Sequence, residues 1–185
     1  MFRTGVCQKG FTLVELMVGM VVGLIVLSAV LYSFLTTAQT SVYITQTSAL
    51  MEETNSLVSL VSGELRRIGY SDASQSTSLN TSNSSCLLYR YAKPNSSVGN
   101  TFGFRLQNGA VQTINSDTAV CDAGAWVSIT PSIMSVTSLT FSAIPSDSAE
   151  VREVQFSISS EHSENSEINL QISKTILLRN DVSQE

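Results

Sequence analysis

Gly10-Phe11-Thr12-Leu13-Val14-Glu15 is where the chain turns from a short basic leader, carrying Arg3 and Lys9, into a long apolar run. The run begins at Phe11 and holds one charge near its start, Glu15; from Leu16 to Met51 no residue is charged. A carboxylate near a bilayer centre costs roughly 2.5–3.5 kcal/mol on insertion scales, and intramembrane acids mark pairing sites. A cleavable secretory signal would have an apolar region of roughly 7–15 residues with a small-residue cut site after it. Here the stretch from Leu16 to Leu35 is longer, and the small-residue cut site precedes it. About 20 apolar residues suffice for a transmembrane helix, so the run qualifies as a permanent span. A plain anchor gives no reason for Glu15.

Lys9-Gly10-Phe11-Thr12-Leu13-Val14-Glu15 resembles the class III signal of type IV prepilins and type II secretion pseudopilins. The resemblance implies cleavage between Gly10 and Phe11 by a membrane-embedded aspartyl prepilin peptidase on the cytoplasmic face. It also implies N-methylation of the new terminus, Phe11. The helix stays on the mature chain and packs into a filament core. Glu15, the fifth mature residue, then pairs with the terminal amine of a neighbouring subunit and sets assembly register. Pairing in low dielectric offsets the burial cost that an isolated carboxylate would keep.

The chain has 185 residues, enough for one domain plus a long helix. Its 10 basic and 15 acidic residues become 8 against 15 once Arg3 and Lys9 leave with the leader, a net charge of −7. Both leader charges precede the span, which predicts a cytoplasmic N-terminus and a periplasmic remainder. An acidic exported part lacks the electrostatic footprint of a general nucleic-acid binder. Cys7 lies in the leader; Cys86 and Cys121 remain, an even pair in an oxidising compartment, and are expected to form a disulfide. The other reading, a redox or metal site, has no CxxC spacing and no nearby histidine to support it.

Leu50, Leu57, Val61, Leu65 and Ile68 fall on one helical face, which continues the helix and should pack on a sheet. Arg66 and Arg67 are expected in its last turn, with Gly69 as the stop. The Ser/Thr/Asn-rich stretch 71–85 reads as a loop. Short strands follow: 86–91, then 102–107 and 110–114 about the hairpin signal Asn108-Gly109, then 126–129 before Pro131. Alternating patterns come next at Leu139/Phe141/Ala143, Val154/Phe156/Ile158 and Ile168/Leu170/Ile172, the last two joined by a turn over 160–166. The fold class is therefore α+β. A long N-terminal helix, membrane-spanning in its first half, packs on a C-terminal antiparallel β-sheet head, as in pilins. The organisation reads as leader 1–10, transmembrane and filament-core helix 11–35, amphipathic continuation 36–69, loop 70–85 and β-rich head 86–185.

Glu64-Leu65-Arg66-Arg67-Ile68-Gly69-Tyr70 resembles the helix ending of minor pilins of the PilW type, and less closely that of GspJ-type minor pseudopilins. Many major pilins break the membrane helix with a proline; here no proline precedes Pro94, which favours a minor subunit. Gly19 and Gly23 form a GxxxG pair that permits close helix approach, though glycine is also frequent in membrane spans for no such reason.

No enzyme is expected. His162, the sole histidine, is placed in a polar turn, and nothing positions a Ser-His-Asp triad. Glu161, Glu164, Asn165 and Glu167 crowd that turn without calcium-loop spacing, so no metal and no cofactor is assigned. The resemblance implies a minor type IV pilin that primes or caps a pilus in a tip complex. Its partners would be the prepilin peptidase, other minor pilins, the major pilin, the inner-membrane assembly platform and a tip adhesin. The alternatives are a minor pseudopilin of a type II secretion system, or a membrane-anchored adhesin or ligand-binding module outside any filament.

Overall fold

The computed structural model describes residues 10–70, 78–91, 101–144 and 150–184. The leader up to Lys9, with Cys7, and residues 71–77 of the expected loop lie outside the described residues. The chain divides into two compact units, Met1–Thr45 and Gln46–Glu185.

One helix, α1 (Leu13–Leu65), contributes to both. It is long and apolar enough to cross a membrane; at 1.5 Å per residue its Leu13–Leu35 portion is about 35 Å long, against a hydrocarbon core of about 30 Å. In the Ser/Thr-rich middle the hydroxyls are satisfied locally. Thr36, Thr37, Thr40 and Thr45 each donate to the carbonyl four residues back, at 2.9–3.0 Å.

In the C-terminal unit, α1 buries Leu50, Leu57, Val61 and Leu65, with Ile68 just beyond. The face also carries Thr54, whose Oγ1 lies 2.9 Å from Ser160 Oγ and donates to Met134 Sδ at 3.4 Å. A hydroxyl pair that satisfies itself can be buried, and this one pins helix to sheet.

The sheet has eight strands: β1 (Ser78–Asn83), β2 (Cys86–Arg90), β3 (Thr101–Gln107), β4 (Ala110–Asn115), β5 (Val127–Ser128), β6 (Met134–Ile144), β7 (Glu150–His162) and β8 (Asn165–Gln184). Their spatial order is β5-β4-β3-β2-β1-β8-β7-β6. All neighbours are antiparallel except β1 and β8, which pair in parallel through Ser78–Ser183 and Leu79–Gln184. The Asn108-Gly109 turn joins β3 to β4 with both residues at positive φ, 53° and 74°. That left-handed pair matches strand twist and explains Gly at the second position.

Three expectations are corrected. Residues 78–83 lie in the expected loop but form β1, an interior strand. With Leu79 as its one large apolar residue it shows no alternation; β2 and β8 on either side supply its hydrogen-bond partners. The α-helix ends at Leu65, so Arg66 and Arg67 lie beyond its last turn. The backbone tightens there: Arg67 N–H donates to Glu64 O and Ile68 N–H to Leu65 O, both three residues back. The β7–β8 turn is also shorter than expected, spanning 163–164.

The β6 edge is met by the tips of two hairpins. Val136 N–H donates to Gly109 O, and Phe141 N–H to Ser84 O, each at 2.8 Å. Those bonds occupy donors that an edge strand would otherwise offer to another chain.

Candidate processing and assembly site

The residues of the expected cleavage signal sit together at the start of α1. Gly10, Phe11 and Thr12 precede the helix. Thr12 stands at the N-cap: its carbonyl accepts Leu16 N–H at 3.2 Å, the first intrahelical bond, and its hydroxyl accepts Glu15 N–H at 3.3 Å. Glu15 therefore occupies the first turn, where the helix dipole favours an anion. Its side chain is exposed, and among the described residues no cation pairs with it. Every large apolar side chain from Phe11 to Leu35 is exposed. Gly19 and Gly23 lie one turn apart, and a Cβ at either would meet nothing within 4 Å. Among the described residues, neither glycine packs against another part of the chain.

The far end of α1 carries a polar network that the sequence did not disclose. Arg67 Nη1 lies 2.7 Å from Glu64 Oε1, and the Tyr91 hydroxyl donates to Glu64 Oε2 at 3.3 Å. Burial pushes the Tyr91 phenol up; its hydrogen bond with Arg67 acts the other way, and the Glu64 charge raises it again. Burial likewise holds Tyr89 well above the usual phenol range. Arg67 is raised by its bond to Tyr91 and then by Glu64. Tyr91 and Tyr89 belong to a set of stacked rings: Tyr91 and Phe102 are 4.4 Å apart, and Tyr89 stacks on Phe102 and Phe104. Beside them a groove of about 530 Å³ runs between Leu60 on α1 and Val127 on β5.

Cys86 and Cys121 are joined by a disulfide that ties the start of β2 to the segment between β4 and β5. Arg105 backs the same segment. Its Nη1 donates to Cys121 O at 2.6 Å and its Nε to Gln112 Oε1 at 2.9 Å, while the guanidinium lies 4.5 Å from the Trp126 ring. Trp126 Nε1 donates to the Val120 and Ala123 carbonyls, folding the segment on itself.

His162 departs from its expected place. It ends β7 and is 7% exposed, and its Nδ1 accepts Glu164 N–H at 3.2 Å. The alternation of β7 carries it inward after Ile158 and Ser160, and a strand pattern extended two residues further would reveal it. In the neighbouring turn, Asn165 Oδ1 accepts Glu167 N–H. Among the described residues no group of three His, Cys, Asp or Glu is placed to hold a metal ion.

An exposed apolar helix with an acid in its capped first turn, followed by a β-rich unit, is the layout of a type IV pilin-like protein. The prokaryotic N-terminal methylation motif matches residues 6–31, a range that includes Gly10, Phe11 and Glu15, and fits membrane anchoring through this helix. The family model for prepilin peptidase-dependent protein B matches residues 43–178, well over half of the chain, and the chain belongs to that family. Membership ties it to processing by the prepilin peptidase. No curated protein and no solved structure matches the chain significantly.

Proposed function

We propose that the protein is a minor type IV pilin of the PilW type, a non-catalytic subunit that primes or caps pilus assembly within a tip complex. The observation that carries this reading is Glu15, exposed in the first turn of a helix whose surface bears no other charge up to Met51. The peptidase cuts between Gly10 and Phe11, and Phe11 becomes the N-methylated terminus. The N-terminus lies in the cytoplasm and the sheet unit in the periplasm, as the leader charges favour. On assembly the helix leaves the bilayer for a filament core, and Glu15 meets the terminal amine of a neighbour. Opposite charges at hydrogen-bond distance offset in low dielectric what each costs alone. The helix carries no proline, which supports a low-copy subunit over a filament-body subunit. The partners are other minor pilins, the major pilin, the assembly platform and a tip adhesin.

N-terminal sequencing of membrane-extracted protein should return N-methyl-Phe11. An intact leader would instead favour a membrane-anchored adhesin. Glu15→Ala should insert and be cut normally but reach sheared filaments at a small fraction of the wild-type level. Normal incorporation of that variant refutes the pairing role. A filament seen only when a type II secretion system is expressed would move the protein to the pseudopilins.

A further inference from the structure

We infer that Thr12 is a positioning residue for leader processing: it fixes the start of α1 so that the scissile carbonyl stays outside the helix. This rests on the reading that the peptidase cuts between Gly10 and Phe11.

The geometry defines the cap twice over. Thr12 O takes the first intrahelical bond, from Leu16, and Thr12 Oγ1 takes the Glu15 N–H. Thr12-Leu13-Val14-Glu15 has the spacing of a capping box, in which Thr or Ser at the N-cap and Glu or Gln at the third helical position satisfy each other's backbone. Phe11 and Leu16 occupy the two flanking positions at which a hydrophobic staple forms. Four residues of the processing signal are thus also a helix-start signal.

The consequence falls on the bond that must be cut. If α1 ran on through Gly10, the Gly10 carbonyl would accept Val14 N–H. An apolar surrounding favours that extension, because it satisfies backbone groups that lipid cannot. One lone pair of that oxygen would then be engaged and its peptide plane fixed by the helix, so the bond would have to unwind before the peptidase could polarise it. With Thr12 as the cap, Gly10, Phe11 and Thr12 are non-helical, and the first carbonyl used by the helix lies two residues beyond the cut. The same cap leaves only Phe11 and the capping Thr12 ahead of the helix after cleavage, next to the first turn that holds Glu15.

The test uses full-length precursor in lipid vesicles with the cognate prepilin peptidase, comparing wild type with Thr12→Val and Thr12→Ser. Thr12→Val keeps the β-branch and removes the hydroxyl; it should be cut about 5-fold more slowly, the factor by which a lost N-cap shifts a helix-start equilibrium. Thr12→Ser should be cut at the wild-type rate, since its hydroxyl can still accept the Glu15 N–H. Hydrogen exchange supplies the second reading: the Val14 amide should be protected in Thr12→Val relative to wild type and to Thr12→Ser. Wild-type cleavage of Thr12→Val overturns the inference. So does slow cleavage with unchanged Val14 exchange, which would mean the peptidase reads the threonine directly. A wild-type precursor that is not cut at all overturns the processing reading and this inference with it.

Discussion

Gly63 and Gly69 lie six residues apart around the end of α1, and the same change to alanine should have opposite signs at the two positions. Gly63 sits inside the helix, and a Cβ there would meet nothing within 4 Å, so alanine adds no clash. Removing glycine's backbone freedom from a helix interior stabilises by about 0.5–1 kcal/mol. Gly69 has φ +82°, and a Cβ would fall 2.9 Å from Asn180 Cβ, 2.9 Å from Val182 Cγ2 and 3.2 Å from Asn180 O. The Val182 methyl can rotate away; Asn180 Cβ and the carbonyl are held by the β8 backbone. The left-handed conformation costs an L-residue about 1–2 kcal/mol, and overpacking adds about 1–3 kcal/mol. Gly69→Ala should therefore destabilise the sheet unit by about 2–5 kcal/mol. At roughly 3 °C per kcal/mol that lowers the unfolding midpoint by about 6–15 °C, while Gly63→Ala raises it by about 2–3 °C. Trp126 is the sole tryptophan and lies in the sheet unit, so its fluorescence during thermal unfolding of detergent-solubilised protein reads the difference. A drop below about 3 °C for Gly69→Ala, or a comparable drop for Gly63→Ala, would refute the claim that close docking on β8 selects the glycine.

Two further perturbations act on the same unit. The Cys86–Cys121 bridge spans 35 residues, which on the chain-entropy account stabilises by roughly 4 kcal/mol. Replacing both cysteines with serine should lower the midpoint by about 12 °C, and an unchanged midpoint under oxidising conditions would show that the Arg105–Trp126 contacts alone hold the segment. The alkaline limb of stability should carry the mark of Tyr89 and Tyr91, both held above the ordinary phenol value of 10.0, chiefly by burial. A phenol whose folded pKa is raised contributes stability that is complete below about pH 10 and is lost as pH rises toward the folded value. Denaturant midpoints should fall as pH rises above about 10, and less steeply in Tyr89→Phe; a flat profile in the wild type counts against this account.

What the sequence disclosed, and what it hid, divides by the range of the interactions. The helix was legible because its signals are local: an uncharged run, then Leu50, Leu57, Val61 and Leu65 on one face, all buried. The hairpin about Asn108-Gly109 was legible because only a few residue types tolerate two left-handed positions in succession. β1 was not legible, because a strand between β2 and β8 is held by its neighbours' backbones and needs no apolar pattern of its own. By sequence alone Arg67 is one of a basic pair at a helix end; its partners Glu64 and Tyr91 are brought to it by the tightened turn and by the chain just past β2. At the site itself Gly10, Phe11 and Glu15 stood out as a motif. The role of Thr12 needed the position of the helix start, which the apolar run does not reveal.

The two edges of the sheet bear on how such a subunit could associate. An eight-stranded sheet that does not close has two edges, and each is a template for unwanted pairing. On β6 the Gly109 and Ser84 carbonyls take two donors, so the edge is sealed by the chain's own hairpins. On the other side the edge is β5, two residues long, and too short to guide an incoming strand by itself. Backbone pairing between sheets is therefore disfavoured at both ends. Among the described residues, the helix from Leu13 to Leu35 presents a long exposed apolar surface. A bilayer satisfies that surface as well as a neighbouring helix does, so apolar burial alone cannot drive it from membrane to filament. Under the proposed function the difference must come from a group that the bilayer leaves unpaired and a neighbour satisfies. Between Leu13 and Met51 Glu15 is the one carboxylate, and this makes it the residue on which extraction from the membrane should depend most steeply.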